Sequence, residues 1–180
     1  MKGDVVFSSP RSITTLSLLA AVGIALFVIE SFIPLPFPFL KIGLANVSTL
    51  LALMMFGMGG AVLVVIIRVA VGSLLVGSLF GPAFVLALAG GVLSALSMGI
   101  AKRLTRSLFS VIGISLIGST THVLTQFVIV LYFYVQSPAV SFLLPLLLTS
   151  ALFGGLVVGW ISARLLTVLR SSGQFPSNNH

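Results

Sequence analysis

Between Ile42 and Phe80 the chain reads IGLANVSTLLALMMF (42–56), GMGG (57–60) and AVLVVIIRVAVGSLLVGSLF (61–80), with Arg68 as its one charged side chain. These are two apolar runs separated by a glycine-rich break. A helix rises 1.5 Å per residue and a bilayer core is about 30 Å thick, so about 20 apolar residues make a crossing. The second run meets that length and the first is a shorter span. The rest of the chain has the same character: of 180 residues 58% are hydrophobic and 6% charged. Soluble domains carry about 25% charged residues because water must be met at the surface. Lipid is therefore the solvent.

Outward from this stretch, six windows qualify as spans: Ile13 to Ile33, Ile42 to Phe56, Gly60 to Phe80, Pro82 to Ala101, Leu108 to Val135 and Val140 to Leu165. The separators are breaker or polar signals: the Pro34 to Pro38 run, Gly57 to Gly60, Gly81-Pro82, the Lys102 to Ser107 loop and Gln136-Ser137-Pro138. The expected fold is an all-α integral membrane protein of six transmembrane helices. An even count puts both termini on one side. With that side cytoplasmic, the inner segments hold Lys2, Arg11, Lys102, Arg103, Arg106, Arg164 and Arg170, leaving Lys41 and Arg68 as exceptions. The expected organisation is a cytoplasmic segment at 1–12, a six-helix domain at 13–170 and a polar, disordered tail at 171–180. The first span follows basic residues as a signal peptide does, yet no small-residue cleavage site precedes Glu30, so it reads as a retained helix.

Composition excludes most chemistry. The acidic residues are Asp4 and Glu30, too few to hold magnesium for a prenyl transfer or a two-metal hydrolysis. None of Lys2, Lys41 and Lys102 lies in a phosphate-loop motif, and the absence of cysteine removes thiol catalysis, cysteine zinc sites and iron–sulfur clusters. The expectation is no enzyme, no cofactor and no metal. The net charge of +7 is divided among three clusters between apolar stretches, which reads as topology signals and not as a nucleic-acid surface.

Ala87, Gly91, Ala95 and Gly99 recur every four residues and line one face of the fourth window with small side chains. Packing within the chain is the favoured reading over a dimer interface. Gly77 with Gly81, and Gly155 with Gly159, repeat the spacing.

Polar residues inside the membrane are expensive, so each is a candidate for function. At 100° per residue Ser115, Ser119, His122 and Gln126 fall within about 60° of one another on a helix. Such a stripe lines a ligand cavity or makes interhelical hydrogen bonds. Arg68 lies about 10 Å from the inner side by helix rise, and either snorkels, caps carbonyls or takes part in binding. Glu30 stands just before the Pro34 loop near the outer surface, on the order of 13 Å from Arg68 in depth, so it is expected to pair with Lys41 or a ligand. Asn46 opens the short second window, as a ligand contact or as a capping or packing residue. The apolar Pro34 to Phe39 segment cannot be helical and reads as a rigid outer lid. Trp160, Tyr132 and Tyr134 read as interface anchors.

The strings ESFIPLP (30–36), KIGLANV (41–47), Phe56-Gly57, Arg68, GSLLVG (72–77) and AGG (89–91) resemble the bacterial membrane family called Gx transporter, also named heptaprenyl diphosphate synthase component I. The likeness covers most of residues 14 to 165, and the Lys41 to Asn46 block is its most specific part. That family in turn is similar to the substrate-binding S-components of energy-coupling factor (ECF) transporters. The resemblance implies a six-helix bundle in a bacterial cell membrane that captures a small molecule from outside, energised by a separate coupling subunit and ATPases. Ala21 and Ala25, spaced by three residues, are similar to the motif by which S-components dock on the coupling subunit. No signature for a particular vitamin is present.

The leading expectation is thus an S-component-like importer subunit whose ligand sits among Glu30, Lys41, Asn46, His122 and Gln126, with Arg68 a further candidate. Low acidic content favours a neutral, amphipathic or anionic ligand. One rival is a membrane accessory of isoprenoid or quinone biosynthesis, partnered by a prenyl synthase. Another is a self-contained secondary transporter coupled to protons through His122.

Overall fold

The computed structural model describes residues 10–33, 43–105, 109–135 and 137–171. Its helices are α1 (Pro10–Phe32), α2 (Asn46–Val76), α3 (Pro82–Thr105), α4 (Val111–Ile129) and α5 (Leu144–Ser171). A π-helical turn, Val130–Val135, extends α4, and a 3-10 turn, Pro138–Leu143, leads into α5.

Local chemistry explains the helix ends. Pro10 and Pro82 stand at the first residue of α1 and α3, where a missing N–H costs nothing. Ser110 caps α4 by accepting from the Gly113 N–H at 3.2 Å. Gly77 ends α2 in the left-handed region (φ 74°), its N–H donating to Leu74 while the Ser78 N–H donates to Ser73. That pattern satisfies two carbonyls at the helix end.

Among the described residues five helices are long and apolar enough to cross a membrane, where the sequence predicts six windows. The difference lies in α2, which joins windows two and three into one 31-residue element. The element is not straight. Gly57 sits at φ 77°, ψ −169°, a conformation open essentially to glycine alone. Arg68 Nη2 donates to Asn46 Oδ1 at 2.6 Å. A straight helix would hold these residues about 33 Å apart, at 1.5 Å for each of the 22 steps between them. The element therefore folds back at Gly57, with Asn46 and Arg68 each eleven positions from the turn. The break leaves the last carbonyls of the first arm without helical partners, and Lys102 of α3 donates to two of them, Leu53 at 2.9 Å and Met54 at 3.3 Å.

The two arms of α2 form the centre of the bundle. Leu50, Leu53, Val64, Val65 and Val69 are fully buried. Around them α1 packs on α2, α2 on α3, α3 on α4 and α4 on α5, and α5 closes back against α2. The outer surface carries Leu18, Phe32, Leu75, Phe80, Phe142, Phe153, Trp160 and Val168, all exposed, as a lipid-facing surface requires. Trp160 also lies under the Arg164 guanidinium, 5.7 Å from the ring centroid.

The small-residue stripe of α3 packs within the chain. A Cβ on Gly91 would stand 2.7 Å from Val65 Cγ1, and one on Gly99 would stand 2.8 Å from Met58 Cγ. Gly159 of α5 faces the Ile112 backbone of α4, with 2.8 Å from its ideal Cβ to Ile112 Cα. Gly77 belongs to a cap and not to a packing face.

Charged ends gather on one side of the bundle. Leu16 of α1 reaches Gly60 beside the α2 turn, and Lys102 lies within electrostatic reach of Arg170 on α5. At the opposite end meet the last turn of α1, the first turn of α2 and the starts of α3 and α5. The 171–180 tail lies outside the described residues beyond Ser171, as do the Pro34 to Phe39 segment and most of the 1–12 segment.

Candidate functional site

Arg68 is 3% exposed and does not snorkel to headgroups. Glycines on both neighbours make room for it: a Cβ on Gly23 of α1 would lie 3.2 Å from its Cδ, and one on Gly91 of α3 would lie 3.6 Å from its Nη2. Its Nη2 bonds to Asn46, while its Nε is buried and has no partner among the described residues. Because the Asn46 oxygen accepts from Arg68, the amide orientation is fixed and Nδ2 is the end left to donate.

Glu30 is also buried, and its carboxylate bonds to backbone. One oxygen accepts from the Leu44 N–H at 2.6 Å and the other from the Ala45 N–H at 3.4 Å. Ala45 stands at the cap position of α2 and has no side-chain acceptor to offer. A carboxylate from α1 thus takes up the N–H groups of the two residues that lead into α2, at the positive end of its dipole. This arrangement holds Asn46 in place. Glu30 bonds to these amides and not to the Arg68 guanidinium, but it lies within electrostatic reach of Arg68 and shares a cavity with it. The inferred gap in depth does not keep the two apart, since the α2 turn brings Arg68 to the level of Asn46. Lys41, the other expected partner, lies outside the described residues, as does the proline-rich lid.

The polar stripe of α4 faces inward. Ser115 and Gln126 are buried and His122 is half-buried. Gln126 Nε2 donates to the Leu86 carbonyl of α3 at 3.5 Å. The His122 ring packs on Gly90, whose ideal Cβ would stand 3.1 Å from the imidazole. Thr121 and Thr125 instead bond to carbonyls of their own helix.

These residues converge on three neighbouring lobes, each lined in part by Gly43 and Asn46. The lobe between α1, α2, α3 and α4 has about 510 Å³ of empty space including its mouth, and Glu30, Asn46, Arg68, His122 and Gln126 all line it. The lobe between α4 and α5, about 640 Å³ on the same measure, shares Asn46, His122 and Gln126 and adds apolar Phe127, Val130, Val140 and Leu147. A third of about 270 Å³ extends past Ser115 and Ser119 toward Met98. The whole is amphipathic, polar near α2 and apolar between α4 and α5.

Five of the six residues singled out as ligand contacts thus share one wall. The sequence reading missed Gly43, which turns the chain into α2 at φ 84°, and Ser150 of α5. Gly43 lies in the distinctive Lys41 to Asn46 block, whereas nothing about Ser150 sets it apart. Ala21 and Ala25 lie elsewhere, exposed on the outer face of α1. Among the described residues no three histidine, aspartate or glutamate side chains gather as a metal site would need.

The chain covers 88% of its length against 95% of a solved structure described as the S component of a bacterial ECF transporter, at 18% identity and a TM-score of 0.62. The fold is therefore that of an S component, in a multi-pass helical membrane protein. The comparison with curated proteins returns no match. Residues 19–165 match the family described as heptaprenyl diphosphate synthase component I, the same span that holds every cavity residue named above. With that match over most of its length, the chain belongs to the heptaprenyl diphosphate synthase component I family, the Gx transporter family.

Proposed function

We propose that this protein is the substrate-binding membrane subunit of an energy-coupled importer for a small organic molecule. The observation that carries the reading is the convergence of Arg68, Asn46, His122 and Gln126 on a cavity at the bundle end opposite Lys102 and Arg170. Basic helix ends face the cytoplasm, so the cavity opens outward, where an importer meets its cargo. The fold-back at Gly57 supports six crossings with both termini cytoplasmic in a bacterial cell membrane. With two acidic residues in the whole chain, energy comes from elsewhere, from separate ATPases and a coupling subunit. Ala21 and Ala25, small and exposed on α1, offer that subunit a face for close helix approach. The protein itself performs no enzymatic step.

The test is the small-molecule occupancy of protein purified from its own membranes, read by native mass spectrometry. His122→Ala and Gln126→Ala are expected to lower occupancy with the melting midpoint kept. Unchanged occupancy in both variants would overturn the site.

The apolar lining of the α4–α5 lobe favours a second reading, in which the cavity holds a prenyl chain and the protein serves as membrane accessory to a prenyl synthase. That reading requires an isoprenoid in the purified protein and a soluble synthase beside it.

A further inference from the structure

We propose that the Arg68–Asn46 corner binds the carboxylate of a singly charged amphipathic anion, whose apolar body extends into the lobe between α4 and α5. This inference rests on the substrate-binding reading above and names the ligand class.

A guanidinium carries five N–H donors and no acceptor. In Arg68 one nitrogen meets Asn46, and the buried Nε has no partner among the described residues. Isolated burial of such a charge is costly, and an anion is what repays it. The nearest protein anion, Glu30, turns both oxygens to the Leu44 and Ala45 N–H groups and makes no hydrogen bond to Arg68. Asn46 adds to the surplus, because its oxygen is held by Arg68 and its Nδ2 is left to donate. The Gln126 amide is turned the other way, with its nitrogen on the Leu86 carbonyl. Gln126 thus leaves its oxygen to accept, and the donors in excess are those of Arg68 and Asn46, where a ligand must bring acceptors.

Charge and shape narrow the class. Glu30 shares the lobe with Arg68, so a doubly charged phosphate would meet repulsion that a single negative charge meets half as strongly. A carboxylate is planar and matches the guanidinium fork. His122 and Gln126 line both this lobe and the apolar one, so a molecule anchored at Arg68 passes them to reach Phe127 and Leu147.

The test uses full-length protein in lipid nanodiscs and three probes with one apolar body: 3-phenylpropionate, 3-phenylpropionamide and 3-phenylpropyl phosphate. Isothermal titration is expected to show the acid binding at least about tenfold more tightly than the amide or the phosphate ester. Arg68→Gln is expected to remove that preference. Asn46→Asp replaces the Nδ2 donor by a negative charge beside Arg68 and keeps the residue paired, so the fold is retained while the acid binds about tenfold more weakly. The proposal is overturned by amide or phosphate binding as tightly as the acid, by acid affinity unchanged in Asn46→Asp, or by no acid binding up to about 10 mM. If it fails while coupling and ATPase subunits still co-purify, the importer reading stands. If acid binding holds and those subunits are absent, the importer reading fails instead.

Discussion

Arg68 and Asn46, 22 residues apart within one helical element, share a 2.6 Å hydrogen bond because the element reverses at Gly57. This bond ties the polar centre of the cavity to the backbone geometry of a glycine at the far end of the bundle. Gly57→Ala forces a side chain into a conformation that costs on the order of 1–3 kcal/mol. The expected result is a lower melting midpoint in detergent, with Gly59→Ala, which meets nothing within 4 Å, close to wild type. Equal midpoints for the two variants would contradict the fold-back.

Glu30 takes up the backbone N–H groups of Leu44 and Ala45, the two residues that lead into α2. Charged hydrogen bonds of this kind contribute about 1.5–3 kcal/mol. Glu30→Ala is expected to lose that much in chemical denaturation, and Glu30→Gln, which keeps one acceptor, is expected to lose less. A substitution to alanine without effect would mean that the carboxylate does not hold the α2 terminus.

The contact of α5 with α4 runs through Gly159. An added methyl there would stand 2.8 Å from the Ile112 backbone, and backbone cannot swing aside. Gly159→Ala is expected to destabilise by about 1–3 kcal/mol, the usual range for overpacking. A neutral result would show the two helices free to separate.

Topology is open to direct chemical reading because the chain has no cysteine. A cysteine at Ser78, in the turn between α2 and α3, is expected to react with a membrane-impermeant maleimide in intact cells. One at Ser171, exposed at the end of α5, is expected to react only in inside-out vesicles. Labelling of both from the same side would overturn the six-crossing arrangement.

Hydropathy made the membrane class and the span positions legible, because lipid imposes the same demand along the whole chain. The polar stripe of α4 was legible because its spacing follows the helical repeat, and the structure turns Ser119, His122 and Gln126 to the cavity. The Gly57 to Gly60 run was legible as a break. That one element would carry the chain through it, and bring Arg68 to Asn46, depended on a backbone dihedral that sequence does not state. The hold of Glu30 on the residues leading into α2 was hidden for a related reason: its partners are main-chain amides, which every residue but proline has, so no residue type advertised them. Lys102 read as a topology signal, and its bonds to Leu53 and Met54 exist only because α2 breaks nearby. Nothing in the Val130–Val135 run signals its π-helical turn.

The most direct test of the importer reading is a mild-detergent pull-down of the tagged protein from its own membranes, with mass spectrometry of proteins and small molecules together. The account predicts recovery of a membrane coupling subunit with its ATPases, and a small organic anion that is lost in the Asn46→Asp variant. Recovery of a prenyl synthase and an isoprenoid, with no ATPase, would contradict it.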